Sequence, residues 1–375
     1  MKVLVCIPRL LQGGMEVQTL SLVQALVAGG HEVVTFCCFE HTESMKDEYM
    51  RAGARVVLMS PEGGSPTKGL SLVRNLFVGL REVIRGWHPD VAHVQYTAQG
   101  AIPVIFLRLL GIKKVVATAH TSADIHPSTG VLGFVARRLL TAFTCMTRRA
   151  ECSFFGSSSL YSPDTPLSKH GNHFTIYNSL PPYIEVTRSK RQFFWPPMVG
   201  VVSRLEEVKG MDLLVPAFAL VHRMEPEVQL LVVGDGSLRP LMERQVMELG
   251  VMDCVRFLGR QPQDRLRAYY DSIDILLMPS RSEGFGLTAI EGMARGCVVV
   301  ASSSGGLPEV VKDGETGMLH KPGDGDDIAR KVLSLIHDPA AMERLSQAAV
   351  RRAEEFTPAR QAPLIRSLYD AIEKL

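Results

Sequence analysis

The sequence predicts an α/β protein made of two doubly wound domains with parallel sheets, and three observations lead there. Short apolar, strand-like runs alternate with helical patterns in two successive series. A stretch rich in proline and basic residues, Ser179 to Pro197, shows neither periodicity and separates the series. The chain has 375 residues, and at about 150 residues per domain that length suits two cores better than one.

The first series opens with Val3 to Ile7 and a helix from about Glu16 to Ala28. Strand-like runs follow at Glu32 to Phe36, Arg55 to Leu58, Val91 to His93, Lys114 to Thr118 and Cys152 to Gly156. The second series reads Met198 to Ser203, Val228 to Val233, Val255 to Leu258, Ile275 to Met278 and Val298 to Ala301. Short apolar strands joined by helices imply parallel sheets covered on both faces. The expected limits are an N-terminal domain over 1–180, a linker over 181–197 and a C-terminal domain over 198–357. A terminal helix over 358–375 follows, with Ala359, Ala362, Ile365, Leu368 and Ile372 at helical spacing. In open α/β sheets ligands bind beyond the carboxyl ends of the strands, so a cleft between two facing domains is the expected site.

Composition excludes several classes. A formal net charge of +2, with no dense Lys/Arg tract, gives no support for nucleic-acid binding. The start, MKVLVCIPRL, is too short for the apolar core of a signal peptide, and no stretch reaches the ~18–20 apolar residues of a membrane span. Seven cysteines without CxxC pairing read as buried reduced thiols, which points to the cytoplasm. There is no GxxxxGK[ST], HExxH or GxSxG, so the usual parts for ATP hydrolysis, zinc proteolysis and esterase chemistry are missing.

The run from Leu277 to Val311 is the most telling segment. A buried strand gives way at Pro279, Ser280, Gly284 and Gly286 to a helix from Leu287, which places Glu283 in the loop and Glu291 on the second helical turn, roughly 7 Å along the axis. One carboxylate can then serve each end of an elongated ligand. Between them the first helical amides, near Phe285 to Leu287, suit an anion. Taken alone, each glutamate is more simply an acidic residue near a helix N-terminus.

Other segments add parts to this site. Arg204 and Lys209 follow the first strand of the second domain and can turn toward one diphosphate, the Arg as a fork and the Lys as a point charge. Gly13 and Gly14, between a strand and a helix, form a plausible phosphate cradle, although they do not match the GxGxxG dinucleotide fingerprint. His120 at a strand end is a hydrogen-bond donor or proton mediator, whereas His126 reads as a loop histidine satisfied by backbone. Gly234, Gly259 and Arg260, at further strand ends, can line a nucleotide pocket. Asp324 and Asp326 form a DxD, but their place before a helix favours capping over metal binding. The stretch from Val131 to Ala150 reads as a basic amphipathic helix, with Arg137, Arg138, Arg148 and Arg149. It either packs on the sheet, the commoner case, or makes a peripheral contact with an anionic membrane.

Taken together these segments resemble the retaining glycosyltransferases of sequence family 4, with two Rossmann-like domains in the architecture called GT-B. The matching stretches include GGMEVQTLSLVQALVAGGHEV, VVATAHTS, IYNSLPP, VVSRLEEVKGMDLL, LLVVGDGSLRPLME, VRFLGR and PSRSEGFGLTAIEGMARGCVVVASSSGGLPEVV. The resemblance implies that the C-terminal helix returns to the N-terminal domain. It implies a nucleotide diphosphate sugar as substrate, with a UDP- or GDP-sugar as donor and no metal or other cofactor. Glu283 would hold donor-sugar hydroxyls, Glu291 the ribose, Arg204 and Lys209 the diphosphate. Gly13 and Gly14 would let backbone amides approach the phosphate, and the backbone of Phe285, Gly286 and Leu287 would complete its contacts. Gly259 and Arg260 would lie near the base, and His120 at the sugar and acceptor side. The acceptor would be a carbohydrate or a lipid-linked molecule, in the synthesis of cell-surface polysaccharide, lipopolysaccharide or glycolipid.

Two departures stand out: Asn178-Ser179 where many relatives have Asn-Gly, and Thr121 after the histidine where an acidic residue or glycine is frequent. No residue stands out as a covalent nucleophile, and the resemblance implies instead same-face attack, with the leaving phosphate helping to remove the acceptor proton. A nucleotide-sugar epimerase of the same fold and a catalytically silent nucleotide-sugar-binding protein are the alternatives. An oxidoreductase is disfavoured by the missing dinucleotide fingerprint.

Overall fold

The computed structural model describes residues 1–60, 69–96, 101–123 and 129–375. Within them the chain divides into two compact units. The first comprises Met1–Ser179 together with Pro358–Leu375, and the second Leu180–Thr357.

In the first unit the strands are β1 (Lys2–Ile7), β2 (Glu32–Cys37), β3 (Arg55–Leu58), β4 (Val91–Tyr96), β5 (Lys114–Ala119), β6 (Ala142–Cys145) and β7 (Asn172–Thr175). The helices between them are α1 (Gly14–Ala28), α2 (Glu43–Arg51), α3 (Leu70–Trp87), α4 (Ala101–Leu109), α5 (Thr129–Arg138) and α6 (Arg148–Phe155). All the strands run parallel, in the order β3-β2-β1-β4-β5-β6-β7. Central β1 has Val3, Leu4, Val5 and Ile7 fully buried, as expected of a strand covered on both faces. The sheet order reverses between β1 and β4, which opens a crevice beyond their carboxyl ends.

The second unit repeats the plan with β8 (Met198–Val202), β9 (Gln229–Val233), β10 (Val255–Gly259), β11 (Ile275–Met278), β12 (Val298–Ser302) and β13 (Met318–His320). Its helices are α7 (Met211–Met224), α8 (Arg239–Glu248), α9 (Gln263–Ser272), α10 (Leu287–Ala294), α11 (Leu307–Val310), α12 (Gly325–Ile336) and α13 (Pro339–Glu354). The parallel order is β10-β9-β8-β11-β12-β13, with the reversal at β8 and β11. The terminal helix α14 (Pro358–Glu373) belongs to the first unit, where Ile365, Leu368, Tyr369 and Ile372 are buried in the core shared with β1 and α1.

Residues 180–197 contain no helix or strand, yet they are fastened to the second unit. Arg191 donates to Asp274 Oδ1 at 3.1 Å and to the carbonyls of Tyr270 and Asp271 at 3.0 and 2.9 Å. A guanidinium with its donors matched to fixed acceptors makes this stretch a strap rather than a free tether.

Three expectations are corrected. The stretch 131–150 is not one helix: α5 ends at Arg138, β6 follows, and α6 begins at Arg148. Leu140 and Phe143 are fully buried, so they form no face that could lie on a membrane. A four-residue strand buried at every position, as β6 is, has no period that distinguishes it from a helical segment. Second, Cys152 to Gly156 is helix, not strand. Thr147 accepts from the Ala150 amide at the N-cap, and Gly156, with φ of 76°, ends the helix in the left-handed region. Third, strands β7 and β13 were not foreseen. β7 has the largely polar sequence NHFT and β13 is three residues long. Neither shows a strand pattern that could be read. His126 lies outside the described residues.

Candidate active site

In the second unit the reversal at β8 and β11 brings together two residues that are 74 positions apart in sequence. After β8 a single 3-10 turn, Glu207–Lys209, swings Lys209 back toward the loop that follows β11, where its Nζ lies 2.6 Å from Glu283 Oε2. Both side chains are largely buried. Arg281 sets this approach: it grips the Asp212 carboxylate with both terminal nitrogens at 2.5 and 2.6 Å, while its own amide donates to the Val208 carbonyl at 3.0 Å. That pairing also holds the Asp212 carboxyl below its ordinary pKa.

The Glu283 loop is braced from a third strand. Ser280 Oγ lies 3.4 Å from Glu283 Oε2, and Ser304 Oγ, after β12, donates to the Ser280 carbonyl at 2.7 Å. Gly306 N donates to the Glu283 carbonyl at 2.9 Å, and a Cβ on neighbouring Gly305 would run into that same carbonyl. Gly305 therefore permits the close approach of two backbones. Sequence reasoning gave it no role, although the GGLPEVV signal was in view.

Three residues beyond Glu283, Gly286 begins α10 with φ of 102°, a conformation that L side chains resist. No side chain caps this end, so the first amides of α10 carry the positive end of the helix dipole without a side-chain acceptor. The Phe285 ring is turned into the core, edge-on to Phe356 with centroids 5.6 Å apart.

Glu291, one further turn along, is buried at 5% exposure. Tyr270 donates to its Oε2 at 2.5 Å and Tyr183 to its Oε1 at 3.2 Å. Burial raises the carboxyl's pKa while the two hydroxyls pull it back down. Neither tyrosine was singled out from the sequence, since an aromatic in an irregular strap and another on α9 carry no motif.

The remaining cations and glycines of the second unit lie at the same carboxyl edge. Arg204 is exposed just after β8. Gly234 and Gly259 form a bridge at the ends of β9 and β10, with Gly234 N 2.9 Å from the Gly259 carbonyl, and exposed Arg260 follows. Asp324 is the N-cap of α12, with its carboxylate accepting from Asp327 N at 2.9 Å, which accounts for the DxD. Among the described residues no group of three or more His, Cys, Asp or Glu side chains is placed to hold a metal ion.

The first unit presents a second set at its own reversal. Gly13 is the N-cap of α1 and Gly14 its first residue. The Asn178-Ser179 turn is fixed by Gln18, which donates to the Ser179 carbonyl at 2.7 Å and accepts from its amide at 2.9 Å, so serine replaces the frequent glycine without loosening the turn. His120 follows β5, and Gln95 on β4 lies against its Nε2 at 2.6 Å. Burial lowers the His120 pKa to about 4, so the ring is neutral at physiological pH.

Two family models match the chain, the glycosyl transferase 4-like domain over residues 13–154 and glycosyl transferases group 1 over residues 187–352. The chain belongs to the group 1 glycosyltransferases and has the GT-B fold. This glycosyltransferase is 28% identical over 363 residues to glycogen synthase of Mycobacterium tuberculosis, spanning 92% of this chain and 87% of that protein. It is 36% identical over 191 residues to D-inositol 3-phosphate glycosyltransferase of Corynebacterium aurimucosum, spanning 48% of this chain and 45% of that one. Among solved structures, the glycosyltransferase superposes on HepE of Anabaena in complex with UDP with a TM-score of 0.77, at 20% identity and over the whole of both chains. No helix among its described residues is long and apolar enough to cross a membrane.

Proposed function

We propose that this glycosyltransferase moves a sugar from a nucleotide diphosphate sugar to an acceptor hydroxyl with retention at the anomeric carbon. The observation that carries the reading is the Lys209–Glu283 pair beside the uncapped start of α10. A cation and helix amides suit the diphosphate, and the carboxylate suits sugar hydroxyls. Arg204 adds a second cation to the diphosphate. Glu291 accepts from the ribose hydroxyls, since each oxygen that takes a tyrosine proton keeps a second lone pair. UDP is the first nucleotide to try, because glycosyltransferase-fold HepE was crystallised with it. The acceptor is a carbohydrate or a lipid-linked molecule.

In the reaction, the bond between the anomeric carbon and the diphosphate oxygen breaks with its electron pair on that oxygen. The acceptor oxygen bonds to the same face of the carbon, and its proton passes to the departing phosphate. Lys209, Arg204 and the α10 amides stabilise the growing negative charge, so no metal is required.

Turnover of UDP- and GDP-sugars by wild type, Lys209→Ala, Glu283→Ala and Arg204→Ala tests the assignment. Each substitution is expected to lower kcat about 10²-fold, the usual effect of removing one preorganised charge or donor. Unchanged turnover would refute these roles, and loss of wild-type activity on chelation would refute metal independence. Conversion of donor without transfer to any acceptor would instead identify an epimerase.

A further inference from the structure

His93 and Gln95 lie on one face of β4, and Thr118 and His120 lie on the matching face at the end of β5. Where a sheet buried on both sides normally takes Val or Ile, this face keeps Val91 and Val116 but turns polar toward the carboxyl ends of the strands. His93 shares hydrogen bonds with Thr118 Oγ1 and the Tyr369 hydroxyl, each at 2.7 Å, and Thr118 with Thr144 at 2.6 Å. These groups line a cavity of about 50 Å³ together with Gln95 and His120. Apolar side chains would serve the sheet equally well, so the polarity calls for another reason.

The Gln95 amide is 3% exposed, and its Oε1 lies 2.6 Å from His120 Nε2. An amide oxygen accepts and cannot donate, so Nε2 carries the hydrogen. In a neutral imidazole the other nitrogen, Nδ1, then holds a lone pair.

We propose that Gln95 is a positioning residue: it selects the Nε2–H tautomer of His120, so that Nδ1 accepts a hydrogen bond from a substrate hydroxyl. The ring therefore reads hydroxyl donors and turns its lone pair against anionic groups such as phosphate. The catalytic part rests on the proposed sugar transfer and on the place at the sugar and acceptor side that the family resemblance implies for His120, whereas the tautomer rests on the Gln95 contact alone.

Nitrogen-15 NMR of histidine-labelled full-length protein tests both parts, with the His120 signals assigned through His120→Asn. Neutral His120 is expected to carry its hydrogen on Nε2 in the wild type. Gln95→Met, equal in length but without the amide, should give a mixture of tautomers. Gln95→Glu, whose carboxylate offers only acceptors, should restore the Nε2–H form in the neutral ring. In parallel, kcat should fall about tenfold in Gln95→Met, the worth of one hydrogen bond, and recover in Gln95→Glu, with KM for the donor unchanged. A wild-type Nδ1–H tautomer, an unchanged tautomer in Gln95→Met, or a tautomer that moves while kcat does not would each overturn the proposal. Absence of any transferase turnover in the wild type would sink the proposed function, and with it the catalytic half of this inference. The NMR result would still decide the Gln95–His120 contact.

Discussion

At the scale of single residues, the second unit buries a carboxylate whose titration has a defined sign. Burial raises the Glu291 pKa from the ordinary value of 4.5. The native state then keeps a proton where the unfolded chain has lost it, so stability declines as pH rises from about 4.5 to the folded value and is level above it. Glu291→Gln should remove that descending limb, which denaturant melts across the acidic range would reveal by comparison with wild type. A slope unchanged by the substitution would assign the limb to other groups. The spacing of Glu283 and Glu291 was legible because glycines and a helix start stand between them. The partners that hold them were not, because Lys209, Tyr183 and Tyr270 approach from distant stretches of chain. Contacts across such separations follow from sheet order, which no local pattern encodes.

At the scale of elements, α10 depends on how it begins. A Cβ on Gly286 would lie 2.7 Å from Leu307 Cδ2 and would sit on a residue whose φ is 102°. Gly286→Ala should therefore cost about 1–3 kcal/mol, read as a lowered midpoint in thermal unfolding. On the proposed donor site it should also weaken nucleotide binding, because the start of α10 would shift. An unchanged midpoint would show that the loop absorbs the strain. The legibility of elements followed their burial. Apolar β1, β8, β11 and β12 were recognised because each is bounded by turn residues, and α14 because its apolar positions recur at helical spacing. By contrast α5, β6 and the start of α6 merged into one expected helix, and the rest of α6 was read as a strand. Their caps, Thr147 and Gly156, are common residue types whose meaning depends on the neighbours they bond.

At the scale of the molecule, two neutral histidines make the first unit sensitive to acid. Burial lowers the pKa of His93 to about 3 and that of His120 to about 4. Each takes up a proton in the unfolded chain below about 6.5 while the native state declines it, so stability falls as pH drops from there toward the folded values. The slope reaches up to about 1.4 kcal/mol per pH unit for each histidine. His93→Gln should flatten the acid limb of the unfolding midpoint, and an equally steep limb would place the sensitivity elsewhere. The division into two units was legible from the repeated strand and helix series, because each unit carries its own buried sheets. The strap before Met198 was read only as a linker, since the bonds of Arg191 depend on carbonyls that no composition reveals.

The return of α14 to the first unit has a consequence for biosynthesis. Residues 1–179 leave the ribosome before the second unit, but the helix that covers α1 and β1 is made only after that unit. The second unit, continuous from Leu180 to Thr357, has all its parts before the ribosome reaches α14. Of the two units, the one begun first is therefore completed second, and a chain that stops after Thr357 exposes the apolar surface that Ile365, Leu368 and Tyr369 would have covered.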